Sequence, residues 1–422
     1  MGGSGFGKVS TAWKEEGKMK KIRLFLLTVL VCLVTTTFFA AASFPSDDSP
    51  WPPTCTEEWV NDPAPQAILV CVPPNWNGDL ILYAHGYVPP QYPLSLPEGE
   101  LTFTLPDGST VTMPGIVNSL GYAFATTSYR KNGYAVEQGG ADILALYNLF
   151  ADEVGPPKHA FITGGSEGGL IATMLLEKHP EMFDAGLALC GPIGGIQHEV
   201  NYLGDFRVVF DYFFPQIFDF GVADVPEDAW MKWDSYQKAI IAAMSSDPSA
   251  VDQLFRVTRA ATDPNDPSST VAVALHLLGY SIFATNDLQE TAGGNPYGNR
   301  FRLYWGSDDD AALNRGVERV SADRRARKYL RRFYKPTGIL ARPLVALHTT
   351  MDDLVPFDHE IIYLFRTFLS GSRNLFTLIP VNRFGHCAFE PQEVFSAFAL
   401  MVYRGTGELD PAFIQLLFGL GN

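Results

Sequence analysis

A serine lies between two glycine pairs where an apolar run changes into a helical pattern. The stretch reads HAFITGGSEGGLIATMLLEKHP and covers residues 159–180. The run HAFITGG predicts a buried strand, and the spacing of apolar residues after Glu167 predicts a helix. Gly164 and Gly168 carry no Cβ, so neither residue clashes in a very tight strand-to-helix turn around Ser166. Such a turn leaves the serine hydroxyl exposed at the end of a strand, and it commits this part of the chain to an α/β arrangement.

Short apolar runs alternate with helical periods along most of the chain. The predicted strands cover residues 79–86, 122–130, 159–165, 185–191, 342–350 and 375–381. The predicted helices cover residues 136–154, a segment beginning at 167, 360–369 and 392–403. Strands that are apolar on both faces and separated by helices are typical of a mostly parallel sheet covered on both sides. The sequence therefore predicts an α/β fold with a central, mostly parallel sheet flanked by helices.

One long region breaks this alternation. Residues 191–339 contain no strand pattern and are helix-forming and rich in aromatic residues. A structureless loop of that length is implausible, so we expect a large, mainly helical insertion that forms a lid or cap. The predicted organisation is a leader and signal peptide at 1–42, core at 43–195, helical lid at 196–338, and core again at 339–422. Residues 89–115 predict a smaller insertion that contains a hairpin.

The N-terminus has the pattern of an export signal. A basic segment at 19–23 precedes an apolar run at 24–39, and three alanines at 40–42 provide a small-residue cleavage site. The alternative is an uncleaved membrane anchor, since the apolar run is nearly long enough to span a bilayer. Cleavage is favoured by the alanines, so we expect a secreted or periplasmic protein without stable membrane insertion.

The charge balance limits the classes of partner. Residues 43–422 hold 25 Lys and Arg against 44 Asp and Glu, a net charge of −19. So acidic a protein is expected neither to bind nucleic acid nor to adhere non-specifically to an anionic membrane. Residues 315–335 run against this trend because they contain nine of the 25 basic residues. They are interpreted either as a solvated helix face or as a local dock for an anionic substrate or surface.

The elbow and two later segments together resemble the α/β-hydrolase superfamily. In that superfamily the nucleophilic serine, the acid and the histidine follow in this chain order, each after a strand. PLVALHTTMDDLVPF places Asp352 after the next-to-last predicted strand, and LIPVNRFGHCAFEP places His386 after the last one. The resemblance implies a catalytic triad of Ser166, Asp352 and His386. Asp353 is the alternative acid.

The same resemblance assigns an oxyanion hole. A tetrahedral intermediate needs backbone N–H donors, and one is expected from the residue after the nucleophile, Glu167. The run LILYAHGYVPP resembles the superfamily's His-Gly oxyanion turn. It implies that Tyr87 supplies the second N–H, while His85 and Gly86 support the turn.

Four cysteines remain after the signal segment, an even number that permits disulfides in an exported chain. Cys55 and Cys71 flank a short segment and form the first expected pair. Tannase-like esterases also carry a cysteine after the catalytic histidine but pair it with one just before the serine, where this chain has Gly165. Cys387 is therefore expected to bond Cys190, because both lie near the C-terminal edge of the sheet. No Cys and His spacing indicates a metal site.

These features predict a secreted serine hydrolase that cleaves carboxylic esters through an acyl-enzyme on Ser166 and requires no cofactor. The aromatic residues of the insertion suit a small-molecule or polymeric ester with apolar or aromatic groups, or else form the insertion's own core. The elbow also resembles that of prolyl-peptidase relatives, so a secreted serine peptidase is the first alternative. The second is a non-catalytic binding protein on a hydrolase scaffold. Acyl transfer to an alcohol also stays open.

Overall fold

The computed structural model describes residues 50–104 and 108–408. The signal peptide predicted at 1–42, residues 105–107 of the smaller insertion and residues 409–422 of the C-terminal core lie outside the described part. The described residues contain ten strands: β1 Cys55–Val60, β2 Gln66–Cys71, β3 Asp79–Ala84, β4 Thr102–Thr104, β5 Thr110–Thr112, β6 Ala123–Thr127, β7 His159–Gly165, β8 Ala185–Leu189, β9 Leu344–Met351 and β10 Phe376–Phe384.

Eight of these strands form one sheet, in the order β1-β2-β6-β3-β7-β8-β9-β10. All neighbouring pairs from β6 to β10 are parallel, whereas β2 is antiparallel to both β1 and β6. The predicted mostly parallel sheet is therefore confirmed. The remaining two strands, β4 and β5, pair antiparallel within the smaller insertion, as the hairpin prediction required.

The described residues form thirteen α-helices. Four precede the insertion: α1 Glu98–Leu101, α2 Met113–Ser119, α3 Val136–Glu153 and α4 Glu167–Lys178. Seven lie between β8 and β9: α5 Ile196–Phe213, α6 Trp233–Ser246, α7 Pro248–Thr258, α8 Ser269–Phe283, α9 Thr285–Ala292, α10 Asp310–Gly316 and α11 Arg324–Phe333. Two follow β9: α12 Asp358–Ser370 and α13 Pro391–Thr406.

The sheet has a buried core on each face. Along β3, Leu80 and Leu82 join one cluster, while Ile81 and Tyr83 join the other. Successive side chains of a strand point to opposite faces, so an all-apolar strand needs cover on both sides. The first cluster continues into α3, α4 and the helices of the insertion, and the second contains apolar residues of α2 and α13. Because both faces of the sheet are covered, the inner strands have continuous apolar sequences.

The insertion has its own apolar core. Phe206 and Phe210 are fully buried, and Phe214 and Phe218 are nearly so. Arg207 is also fully buried: its guanidinium lies 4.0 Å from the centre of the Phe218 ring and pairs with Asp211. These phenylalanines therefore stabilise the insertion itself, which is the second of the two interpretations offered for its aromatic residues.

Among the described residues, no single helix is long and apolar enough to cross a membrane. The pair α8 and α9, which meet at a bend of 43°, satisfies the length and hydropathy criterion together.

Candidate active site

Ser166 lies at the turn between β7 and α4 in a strained backbone conformation, with φ 52° and ψ −121°. Its N–H donates to the Leu189 carbonyl at 2.8 Å, which ties the turn to β8. A Cβ on Gly164 would lie 2.8 Å from the Ala84 carbonyl oxygen and still closer to the Gly168 backbone. A Cβ on Gly168 would overlap the Ala84 carbonyl. The two glycines are therefore required for the close approach that holds Ser166 above the sheet.

Ser166, His386 and Asp352 form one hydrogen-bonded line. Ser166 Oγ lies 2.9 Å from His386 Nε2, and His386 Nδ1 lies 2.8 Å from Asp352 Oδ2. The other Asp352 oxygen accepts the Leu354 and Val355 N–H groups at 3.0 and 2.9 Å. With Nδ1–H donated to a carboxylate, Nε2 is free to accept the serine proton.

Asp353, the alternative acid, contacts a different part of the same loop. Its Oδ1 accepts the backbone N–H of His386 at 3.1 Å, and its Oδ2 lies 2.9 Å from His276 Nδ1 on α8. The structure thus brings Asp352 to the imidazole and Asp353 to the backbone behind it.

The predicted oxyanion turn lies directly beside Ser166. A Cβ built on Gly86 would be 3.4 Å from the Cβ of Ser166. The Gly86 N–H donates to both carboxylate oxygens of Glu100 at 3.0 Å. Tyr83 Oη donates to the same carboxylate at 2.8 Å, so Glu100 in α1 fixes the turn from the smaller insertion. Because the Gly86 N–H is already bonded to Glu100, the Tyr87 N–H is the turn's candidate donor to an oxyanion.

Glu167 combines an N–H at the start of α4 with a buried side chain. The first N–H groups of a helix have no intrahelical acceptor, which makes this one suitable for an oxyanion. Burial raises the pKa of the Glu167 carboxyl to about 8, although the Ala135 N–H donates to it at 2.7 Å. The carboxyl is therefore largely protonated at neutral pH and places little negative charge beside the oxyanion position.

His85 supports the turn and has no contact with the triad in the described structure. It is 2 % exposed and stacks on Tyr129 with ring centres 3.8 Å apart. Burial lowers the pKa of its imidazole, and Nδ1 lies 2.7 Å from the Gly86 carbonyl oxygen.

Both expected disulfides are present. Cys55 and Cys71 face each other across β1 and β2, and Cys190 bonds Cys387 with their Cα atoms 5.3 Å apart. The second bond joins the loop after β8 to the residue beside His386. Cys190, Cys387 and His386 are also the one group of potential metal ligands found close together in the described chain. Since the sulfurs are bonded to each other and the imidazole contacts Ser166, these atoms are engaged without a metal.

No protein-family model and no curated protein matches the chain. Solved structures match it over most of its length. An esterase of Pyrococcus furiosus has 14 % identity, covering 86 % of this chain and 97 % of its own, with a TM-score of 0.43. The uncomplexed acylaminoacyl peptidase of Pyrococcus horikoshii has 12 % identity, coverage of 84 % and 41 %, and a TM-score of 0.42. Est1E from Butyrivibrio proteoclasticus with ferulic acid bound has 10 % identity, coverage of 82 % and 97 %, and a TM-score of 0.38.

The chain thus spans about two fifths of the length of the acylaminoacyl peptidases that it matches. Its own topology decides the fold: a mostly parallel eight-stranded sheet, a serine elbow after β7, and an acid and a histidine after β9 and β10. The chain has the α/β-hydrolase fold.

Within this hydrolase fold, a second histidine, His348, contacts Asp352. His348 on β9 is fully buried, with Nδ1 2.9 Å from Glu360 Oε1 and Nε2 2.9 Å from the Val355 carbonyl oxygen. Its Nε2 is also 3.3 Å from Asp352 Oδ2. Acceptors at both ring nitrogens favour the imidazolium. Burial alone would lower the pKa of His348, but the hydrogen bonds with Asp352 and Glu360 outweigh it and raise the pKa to about 10.

The same contacts act on Asp352. Burial would raise the pKa of this carboxyl, but the charge of His386 and the hydrogen bonds from His348 and His386 outweigh burial and hold the pKa below its usual value. Asp352 therefore stays ionised, as a residue that orients an imidazolium must.

The charge on His348 predicts a pH-dependent stability. Its folded-state pKa of about 10 exceeds the 6.5 of a free histidine, so its contribution is present below pH 6.5 and lost as the pH rises through about 10. The pKa of Glu167 is also raised on folding, from 4.5 to about 8. Its own contribution to stability is therefore lost as the pH rises through that range, before the main loss from His348. We expect the free energy of unfolding in urea to fall by about 2 kcal/mol between roughly pH 8 and 10.

His348→Gln should flatten this pH dependence. His85→Gln is the matched control, because it replaces a buried histidine whose pKa is lowered, and it should leave the decline intact. An equal decline in His348→Gln and in the unmodified protein would contradict the assignment.

Aromatic side chains pack against Tyr87 of the predicted oxyanion turn. The Tyr87 ring lies 5.4 Å from Tyr134 and 5.3 Å from Tyr280 of α8, centre to centre. Behind the latter two rings is a mainly apolar cavity of about 50 Å³. Its walls include Val200, Leu203, Leu288 and Tyr297.

Four residues of the site were not found by sequence reasoning. They are Glu100, His276, His348 and Glu360, and each contacts another residue of the site. For His348 the spacing of four residues to Asp352 was an available signal. For Glu100 and His276, which lie in the two insertions, the sequence carries no such signal.

Proposed function

We propose that this protein is a serine hydrolase that cleaves carboxylic esters through an acyl-enzyme on Ser166. The observation that carries the proposal is the hydrogen-bonded line from Ser166 Oγ through His386 to Asp352, with distances of 2.9 and 2.8 Å. These are the distances at which a base removes a proton from a hydroxyl nucleophile. An intact line of this kind argues against a non-catalytic binding protein.

The reaction follows from this geometry. His386 Nε2 takes the hydroxyl proton as Ser166 Oγ attacks the ester carbonyl, and the N–H groups of Tyr87 and Glu167 hold the oxyanion. His386 then protonates the leaving alcohol. In the second half of the reaction it activates water, which releases the acid from Ser166. Asp352 holds the imidazole in the required tautomer and stabilises the imidazolium in both halves.

The acyl group is proposed to be apolar and short to medium in length. The support is that the rings of Tyr134 and Tyr280 pack against Tyr87 of the predicted oxyanion turn, and the mainly apolar cavity that these two tyrosines line is small. A methylene group gains roughly 0.8 kcal/mol on burial, so kcat/KM should rise with acyl length until the cavity is filled and fall beyond that point.

The test is a panel of p-nitrophenyl esters of increasing acyl length, run beside aminoacyl and prolyl p-nitroanilides. Protein pretreated with a fluorophosphonate, which blocks a reactive serine, is the blank. We expect ester turnover that the pretreatment abolishes and little anilide turnover. A comparable or higher rate on the anilides would move the assignment to a serine peptidase. An absence of blockable turnover on both series would contradict the proposal.

A further inference from the structure

The helix α11 carries an unusual concentration of positive charge for so acidic a chain. Its sequence, RRARKYLRRF, has six cationic side chains and no acidic one. All six are exposed, whereas Ala326 and Leu330 on the other side of the helix are buried. At 100° per residue the six positions occupy one continuous face, here called the cationic face. Its members are Arg324, Arg325, Arg327, Lys328, Arg331 and Arg332.

The cationic face is not neutralised within the described structure. None of its six side chains forms an ion pair with a described carboxylate, although the chain has a large excess of Asp and Glu. Like charges are spaced four residues apart at Arg324 and Lys328, and again at Arg327 and Arg331. That spacing destabilises a helix. Two arginines also occupy the first turn, where the helix dipole disfavours cations. Folding and solubility do not require this arrangement.

A row of exposed apolar side chains lies along a neighbouring segment. Phe301, Leu303 and Trp305 are 90 %, 66 % and 58 % exposed, and the alternating Tyr304 is buried. The segment is hydrogen-bonded to the stretch that leads into α11: the Asn299 N–H donates to the Val320 carbonyl, and the Asp323 N–H to the Asn295 carbonyl. These three side chains are here called the apolar row. Exposed large apolar groups and a cluster of basic residues are both features of surfaces that bind at a lipid interface.

We propose that the cationic face and the apolar row form a docking surface for a bilayer rich in anionic lipid headgroups. The cations supply attraction to the phosphates, and Phe301, Leu303 and Trp305 enter the interfacial zone. A leucine cannot stack on a base, which makes the row a poor fit to nucleic acid. The two disulfides fit an oxidising compartment outside the cytosol. The surface is peripheral and requires no spanning helix.

The test is co-sedimentation of the purified protein with vesicles of phosphatidylcholine, with and without ~30 mol% phosphatidylglycerol. We expect binding to the anionic vesicles in ~0.1 M NaCl, little binding to the neutral ones, and release in ~0.5 M NaCl as the charges are screened. Failure of the protein to bind anionic vesicles better than neutral ones would overturn the proposal.

Charge-matched variants locate the surface. Each cation removed should weaken binding about fivefold, so replacing four arginines of the cationic face should cost roughly 100-fold or more. The four substitutions are Arg324→Gln, Arg327→Gln, Arg331→Gln and Arg332→Gln. The control removes four accessible cations that have ion-pair partners: Lys232→Gln, Arg256→Gln, Arg342→Gln and Arg383→Gln. If both variants lost the same amount of vesicle binding, the loss would follow from net charge alone. That result would overturn the assignment of the binding surface to α11.

Two further measurements complete the test. Phe301→Ser combined with Trp305→Ser should weaken vesicle binding while preserving its salt dependence, and unchanged binding would remove the apolar row from the surface. Hydrolysis of a soluble ester reports on folding and should stay unchanged in every variant. Tighter binding of duplex DNA or RNA than of anionic vesicles would overturn the lipid assignment in favour of nucleic acid.

Discussion

Replacing Ser166 by alanine is expected to lower kcat for ester hydrolysis by about four to six orders of magnitude. In the proposed mechanism, the hydroxyl oxygen forms the acyl-enzyme, and its proton passes to His386 Nε2 across the 2.9 Å contact. Binding and the oxyanion N–H groups do not depend on this oxygen, so some rate above that in water should persist. The measurement is kcat at saturating p-nitrophenyl ester, with the mass of the intact protein recorded after fluorophosphonate treatment.

The triad should behave as one unit. His386→Ala alone and Ser166→Ala with His386→Ala should each lose about as much activity as Ser166→Ala alone, because each removes the same step. Ser245→Ala, an exposed position on α6 of the lid, is the control and should keep full activity. Undiminished phosphonate labelling of Ser166→Ala would show that another residue is the nucleophile.

The sequence predicts the central features of this site because local rules determine them. The elbow is specified by glycines within two residues of Ser166, and its strand and helix are recognisable in the same stretch. The sequence also identifies Asp352 and His386, because each follows a strand that is recognisable from its apolar run. The structure brings all three side chains together in the expected chain order.

Two strands of the sheet were missed by sequence prediction, and a physical reason explains only the first. β1, with the sequence CTEEWV, forms an edge of the sheet, and its residues are exposed or half-buried. Such a strand lacks the apolar run by which the inner strands were recognised. β2, with the sequence QAILVC, is almost entirely buried and did carry a readable signal. The pairing of Cys55 with Cys71 joins the two strands directly across their register.

Local sequence patterns do not predict the residues that contact the triad and the oxyanion turn from other parts of the chain. Glu100 reaches Gly86 from the smaller insertion, and His276 reaches Asp353 from α8 of the lid. Insertions vary independently of the core they cover, so neither contact follows from the pattern of the hydrolase fold. The buried charge of His348 depends on two carboxylates meeting one ring, which only the packed structure shows.

The second large effect is expected at Asp352. Asp352→Asn should lower kcat about 10⁴-fold, since an amide can turn its NH₂ group toward His386 Nδ1 and then favours the tautomer whose Nε2 carries a proton. Asn also removes the charge that stabilises the imidazolium. In Asp353→Asn, the amide oxygen can still accept the His386 N–H, so only the contact with His276 needs to be lost. That change should cost about tenfold or less, near the value of one hydrogen bond.

The order of the two losses identifies the orienting carboxylate. Both variants remove one negative charge from adjacent positions of one loop, so differences in net charge and in local chain flexibility largely cancel. Asp358 is an exposed acid at the start of α12 that pairs with His198. Asp358→Asn therefore controls for the loss of charge alone and should leave kcat nearly unchanged. Measured at saturating ester, a loss in Asp353→Asn that equals or exceeds the loss in Asp352→Asn would reverse the assignment. It would also require the imidazole to turn from the orientation in which Nδ1 lies 2.8 Å from Asp352.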